Sequence, residues 1–273
     1  MLTQTEKARA FRALHHRDRA FIIPNPWDVG TARLLTLLGF EALATTSAGY
    51  AFSMGKPDNT VDRPQMMAHL SSIASATELP VSADLENGFG DAPETVAETI
   101  RLAAAAGVVG GSIEDSTQQP NRPIYELDHA VARVHAAAEA ARTLSFPFTL
   151  TARCENYLVG RPDIKDTLER LQAYQTAGAD VLYAPGLTSK DDIAAVVSSV
   201  DRPVNVVMGL QGVQLSLADL SALGVKRVSI GSALSRAALG AFLRAAREMQ
   251  ELGTFSFAQE AVSYREISAF FQA

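Results

Sequence analysis

Carboxylates and one arginine stand where short apolar runs of this chain stop. Asp84 closes PVSAD and is followed by Glu86; Glu114 and Asp115 close GGSI; Arg153 closes FTLTA, with Glu155 and Asn156 directly after it. Other runs end in Asn25 and Asp28, in Thr45, Thr46 and Ser47, in Asn205, and in Ser229 and Ser232. Oxygen donors of this kind suit a hard cation, Mg²⁺ or Mn²⁺, which keeps part of its water and lets a substrate chelate through a carboxylate and the neighbouring oxygen. Asp84 is expected as the direct ligand, with Glu86 and Glu114 orienting the ion's waters. Arg153 offers a planar fork of donors that can grip a carboxylate bidentately or face an oxygen on which charge develops. Pairing with Glu114 or Glu155 is its alternative use and is compatible with the first. Ser47, Ala48 and Gly49 are small enough for backbone N–H groups to approach an anion.

Positioning these residues requires a repeated scaffold, and the pattern supplies one. Short β-rich runs alternate with alanine-rich stretches of helical periodicity, the signature of βαβ units on a parallel sheet. Eight strands are expected: Ala20–Pro24, Ala42–Thr46, Val81–Asp84, Val109–Glu114, Phe148–Ala152, Val181–Ala184, Val204–Val207 and Arg227–Ile230. Between them, segments such as Pro93–Ala106, Leu127–Ala141 and Asp166–Ala177 return apolar residues every three or four positions. Glycine follows a helix at Gly39, Gly107, Gly178 and Gly224, where a left-handed cap is needed. The expected fold is a single (β/α)₈ barrel spanning 1–273, whose active site lies at the C-terminal ends of the strands. Thr5–Leu14 is an additional amphipathic helix suited to closing the barrel floor. Phe257–Phe271 is expected as a C-terminal helix within a segment, 240–273, whose large apolar residues pack either on the protomer's own barrel or on a neighbouring subunit.

Several chemistries are excluded by what is missing from the strand ends. His15, His16, His69, His129 and His135 all fall in expected helices or their approaches, so neither a histidine-based zinc site nor a Ser-His-Asp triad can be assembled. No lysine ends a strand, against a Schiff-base aldolase; Lys56 alone could reach the mouth. Cys154 is the single cysteine and is read as a core thiol. The 273-residue chain is 47% hydrophobic and 20% charged with a formal net charge of -6. That balance disfavours nucleic-acid and anionic-membrane partners, which call for basic patches. Without a signal-like apolar centre near the N-terminus or an 18-residue apolar run, a cytoplasmic home is expected.

In combination, NPWDVGTARLL, TTSAGYAFSMGKPD, SADLENGFGD, GGSIEDS and TARCEN, following the first five strands, resemble the isocitrate lyase and phosphoenolpyruvate mutase superfamily over essentially the whole chain. The resemblance implies a (β/α)₈ barrel whose eighth helix is exchanged between partners of a homodimer or homotetramer. It implies Mg²⁺ held by Asp84, Glu86 and Glu114, Arg153 on the substrate and its reacting oxygen, and a substrate carboxylate seated by Ser47, Ala48 and Gly49. Asp58, in GKPD, matches an acid standing behind the family's metal site, and Asn205, with Tyr157 and Tyr183, falls where specificity is shaped. The implied chemistry is cleavage or formation of a C–C or C–P bond beside a 2-oxo acid, through an enolate.

Departures from the family narrow that chemistry. Isocitrate-type lyases carry a cysteine in the loop after the fourth strand, which here reads STQQPNRPIYELDH and holds none. Glu86 and Glu155 stand where aspartate is frequent, and the loop lacks a basic cluster for a phosphonate. The expectation is therefore a Mg²⁺-dependent lyase or decarboxylase of a small 2-oxo or 2-hydroxy carboxylate. A phosphonopyruvate-type mutase or hydrolase and a non-catalytic 2-oxo acid sensor are the alternatives.

Overall fold

A computed structural model describes residues 2–272, so the two end residues of the expected single domain lie outside the described residues. Eight strands form one parallel sheet: β1 (Phe21–Ile23), β2 (Leu43–Ala44), β3 (Val81–Asp84), β4 (Gly110–Glu114), β5 (Thr149–Arg153), β6 (Val181–Tyr183), β7 (Val204–Val207) and β8 (Arg227–Ser229). Their order is β1-β8-β7-β6-β5-β4-β3-β2. The seam between β1 and β2 is crossed by Ala44 N donating to Pro24 O at 3.1 Å and Asn25 Nδ2 donating to Thr45 O at 2.9 Å. The sheet is thus a nearly closed (β/α)₈ barrel, as the alternating pattern predicts.

Helices follow in chain order: α1 (Gln4–Leu14), α2 (Val29–Leu37), α3 (Ser47–Ser53), α4 (Arg63–Ser75), α5 (Pro93–Ala105), α6 (Leu127–Arg142), α7 (Ile164–Ala177), α8 (Lys190–Ser199), α9 (Leu217–Ala222), α10 (Ala233–Leu252) and α11 (Tyr264–Phe270). The ring helices bury Leu70, Val96, Ile100, Leu171 and Val196 against the outward residues of the strands. Gly178 ends α7 at φ 111°, and a Cβ there would come within 2.6 Å of the Arg142 guanidinium, so left-handed geometry and space both require glycine. At the floor, α1 packs Phe11 and Leu14 on Phe21, Ala42 and Val109 at the strand starts, as its amphipathic pattern predicts.

Inside the barrel, side chains alternate in direction along each strand. Register places Glu114 beside Arg153, Arg153 beside Tyr183, Tyr183 beside Asn205, and Asn205 beside Arg227. These polar residues take inward positions, where a barrel usually stacks bulky branched ones. Two inward positions on β3 and β4 are serines, Ser82 and Ser112, which leave space instead of filling it.

The C-terminal segment corrects one expectation. Phe257–Phe271 is not one helix: a 3₁₀ turn spans Ser256–Gln259 and α11 begins afresh at Tyr264. Gly253, at φ 65°, stops α10, and the Glu248 carboxylate then accepts from Ser256 N, Phe257 N and Thr254 Oγ1. This captures the N–H groups a longer helix would have used. Ser263 restarts the chain as the N-cap of α11, accepting from Glu266 N at 3.2 Å.

Candidate active site at the barrel mouth

Arg153 ends β5 and points into the barrel mouth, where it gathers three acids from three other positions. Its Nη1 donates to Asp84 Oδ1 at 3.0 Å and its Nε to Glu155 Oε1 at 2.9 Å, while its Nη2 forms ion pairs with Glu114 Oε2 at 3.2 Å and Glu155 Oε1 at 2.8 Å. Burial works against the guanidinium's charge, yet Glu155, Glu114 and Asp84 hold Arg153 well above its ordinary range. The guanidinium also sits 5.1 Å over the Tyr183 ring.

Asp84 is shared. While Oδ1 meets Arg153, Oδ2 accepts from Ser47 N at 3.0 Å and Ser47 Oγ at 2.9 Å. Ser47 opens α3, a helix capped by Thr46. Gly49 N donates to Thr46 Oγ1 at 3.2 Å, so of Ser47, Ala48 and Gly49 it is Ala48 whose N–H has no acceptor among the described residues. Gly49 matters for space: a Cβ there would stand 2.6 Å from Thr46 Cγ2 and 3.1 Å from Trp27 Cβ. Asp58 lies behind, its Oδ1 accepting from Asn59 N at 3.0 Å and from Ser47 Oγ at 3.4 Å.

Glu86 sits two residues beyond Asp84 in a loop whose backbone turns left-handed at Glu86 (φ 50°), Gly88 (φ 80°) and Phe89 (φ 62°). Strain of this kind persists only where surrounding contacts impose it. Arg133, 1% exposed, imposes it by donating to Asn87 O, Gly90 O and Asp91 O while packing 4.2 Å from the Tyr125 ring centroid. From the loop after β4, Gln118 Nε2 donates to Glu86 Oε2 at 3.0 Å and to Asn59 Oδ1 at 3.1 Å, drawing that loop over the mouth. Neither Arg133 nor Gln118 stood out in the sequence, since one is a mid-helix arginine and the other a loop amide.

Glu114 and Asp115 divide by direction. Glu114 faces the mouth; Asp115 turns outward, accepting from Tyr174 Oη at 2.5 Å, Arg170 Nη1 at 3.3 Å and Glu155 N at 2.8 Å, which ties β4 to α7. Cys154 likewise faces outward into the core, where burial pushes its thiol far up. Lys56 stays off the mouth, with its Nζ on Gln65 Oε1 at 3.2 Å. Asn205 lines the cavity but spends its amide on neighbours, accepting from Arg227 Nε at 2.9 Å and donating to Ser229 Oγ at 3.0 Å.

The mouth carries an excess of negative charge. Burial, then the charge of Asp84, pushes Glu86 up to about 7. Burial drives Glu114 well above the carboxylate range; Arg153 opposes this, while Glu155, Asp84 and Glu86 add to it. Asp58 is raised by burial and by Asp84. Five carboxyl groups thus gather about one buried guanidinium at the mouth, where the exposed Arg236 also lines the cavity, and Glu86 Oε1 is buried without a partner. A divalent cation would relieve that repulsion. Among the described residues no three Asp, Glu, His or Cys side chains converge to cage an ion by themselves. An ion here would therefore draw most of its ligands from water and substrate, the habit of Mg²⁺. Above and beneath these acids lies a cavity of about 420 Å³, within the range of small-molecule sites.

Known proteins resemble this chain in sequence and fold. The phosphoenolpyruvate phosphomutase family matches residues 11–250. An uncharacterized protein of Mycobacterium tuberculosis is 34% identical over 245 residues, 89% of each chain. Oxaloacetate decarboxylase of Chromohalobacter salexigens is 28% identical over 257 residues, 92% of this chain and 88% of its own. Among solved structures, a Burkholderia cenocepacia J2315 protein of the lyase/mutase type superposes with a TM-score of 0.97 at 68% identity, covering 99% of this chain and 97% of its own. A phosphonopyruvate hydrolase solved with oxalate and Mg²⁺ superposes with a TM-score of 0.86 at 26% identity, covering 99% and 95%.

Proposed function

Because the chain belongs to the phosphoenolpyruvate mutase and isocitrate lyase superfamily, whose members include carbon–carbon lyases, we propose that it is a Mg²⁺-dependent lyase or decarboxylase that breaks a C–C bond in a small 2-oxo or 2-hydroxy carboxylate. The observation that carries this reading is Arg153 held among Asp84, Glu114 and Glu155 in the mouth of a cavity with surplus negative charge. A bound Mg²⁺ would supply Lewis-acid polarisation of the 2-oxo group. Asp84 is the proposed direct ligand, with Glu86 and Glu114 aligning water.

The remaining work falls to the chain's own groups. The Ala48 N–H is free to receive the substrate carboxylate, beside Ser47, which Asp84 fixes at 2.9 Å. In a 2-oxo diacid the departing carboxylate leaves as CO2, the electron pair of the broken C–C bond moves toward the 2-oxo oxygen, and Arg153 faces the charge that collects there. The resulting enolate then takes up a proton. Glu114 and Asp58, whose carboxyl groups burial pushes upward, are the groups proposed to hold it. Gln118, by tying the loop after β4 to Glu86, restricts water at the mouth.

The test is incubation with Mg²⁺ and a panel of 2-oxo acids, malates and phosphonopyruvate, followed by assay for pyruvate. Release of a 2-oxo acid from a C–C substrate is the expected result. Pyruvate from phosphonopyruvate alone would favour the C–P reading, for which the family match and the hydrolase neighbour speak. Saturable binding of the acids with no product from any would make the chain a sensor and overturn the reading.

We further propose that the protein is a homodimer or homotetramer, without nucleic-acid or membrane partners, and that α10 lies at the subunit contact. In support, Ser235 is the one buried residue of α10, while Phe242, Leu243, Met249 and Leu252 are exposed, an apolar stripe too long for a free surface. Among the described residues no helix is long and apolar enough to cross a membrane. Sedimentation of Phe242→Asp/Leu252→Asp should give a smaller species than the parent; identical sedimentation would exclude α10 from the contact.

A further inference from the structure

Below the acids, the cavity reaches a second buried arginine that the proposed chemistry leaves unused. Arg227 opens β8 with its side chain inside the barrel and is 5% exposed. Its Nε donates to Asn205 Oδ1 at 2.9 Å, its Nη2 to Thr151 Oγ1 at 3.0 Å, and its Nη1 meets His15 Nε2 at 3.4 Å. Every one of these partners is neutral: burial holds His15 down to about 3, so its ring carries no charge at ordinary pH. Among the described residues no Asp or Glu forms an ion pair with Arg227. A guanidinium has five N–H donors, so three contacts leave two of them unassigned, and Arg227 lines the cavity.

Its height in the barrel follows from Thr151. Thr151 and Arg153 share one face of β5 two residues apart, about 6.6 Å along the strand. The Arg227 head, in contact with Thr151, therefore lies one layer beneath the Arg153 head. Ser82 and Ser112, on the facing strands, keep the passage between those layers open. The cavity thus has two differently charged levels: acids clustered on one arginine at the mouth, and a lone cation below.

A buried cation without a countercharge is costly, and a carboxylate ligand offsets that cost with charge-assisted, bidentate hydrogen bonds. We propose that Arg227 is the receptor for a second carboxylate of the substrate, so that the site selects diacids whose 2-oxo or 2-hydroxy acid end is held at the mouth. This deepens the proposed function and rests on it. Asn205 then acts as a positioning residue, since its amide fixes the Nε edge of the guanidinium and leaves the other edge to the ligand.

L-malate and L-lactate separate the two levels, because they share the 2-hydroxy acid end and differ by one carboxylate. Calorimetric titration of the Mg²⁺-loaded protein should show malate binding about ten- to hundredfold more tightly than lactate, the range of a charged hydrogen-bond pair. Arg227→Met should bring the two affinities together, and Arg227→Lys should keep part of the preference. Circular dichroism checks that the variants fold; if Arg227→Met does not, the parent's own ratio and Arg227→Lys decide. Lactate binding without a malate preference, or a preference that survives in folded Arg227→Met, overturns the second-carboxylate site alone. Binding of neither acid overturns the reading of the mouth on which it rests.

Discussion

Asp84→Ala is expected to lower kcat/KM by on the order of 10³-fold, the scale of losing a principal electrostatic stabiliser at a reacting oxygen, while leaving the protein as stable as before or more so. Both halves follow from geometry. Asp84 is the acid that joins Arg153 to Ser47, so its removal takes away the proposed ion ligand and releases the first turn of α3 together. It also removes one member of a mutually repelling set, which lowers the cost that raised Glu86 and Asp58 report. Active sites commonly hold such charge at the expense of stability. Steady-state kinetics over a Mg²⁺ titration, with a thermal melt of the same samples, checks both. Turnover within tenfold of the parent, at unchanged Mg²⁺ dependence, would remove Asp84 from the site.

Arg153→Lys is the second large effect and should differ in kind. The guanidinium reaches Asp84, Glu114 and Glu155 from three nitrogens at once, a span that an ammonium cannot reproduce. At least one buried carboxylate loses its partner. Destabilisation of about 2 kcal/mol is expected, below the 3 to 5 kcal/mol of removing a buried partner outright because the charge is kept. Activity should fall by about 10²- to 10³-fold. Urea unfolding and kcat/KM are the measurements. A variant as stable and as active as the parent would mean that Arg153 serves merely as a generic positive charge.

Much of this site could be read from the chain because parallel barrels place polar residues at strand ends, and Asp84, Glu114 and Arg153 interrupt apolar runs. Arg227 was missed for a reason the same rule contains. It begins the expected strand Arg227–Ile230 instead of ending it, and the rule attends only to strand ends. Yet its spacing of two from Ser229, itself recognised as a strand-end residue, already sets both on one face of β8. Ser263 and Glu266, in the spacing of a capping pair, likewise announced the restart of the chain at α11. The turn before it could not be anticipated, since it depends on the Glu248 carboxylate folding back over Thr254, Ser256 and Phe257. Gln118 and Arg133 were equally out of reach: their roles come from a loop and a helix that both meet the loop after β3, and no periodicity encodes that.

The central claim is that these acids and Arg153 hold a hydrated divalent ion against a small 2-oxo acid. Crystals grown with Mg²⁺ and oxalate, a planar stand-in for the enolate of pyruvate, test it most directly. The expected density is a six-coordinate ion touching Asp84, with waters reaching Glu86 and Glu114, and oxalate bound to the ion beside Arg153 and the Ala48 N–H. A mouth without ion or oxalate under those conditions, or an ion bound elsewhere, would contradict it.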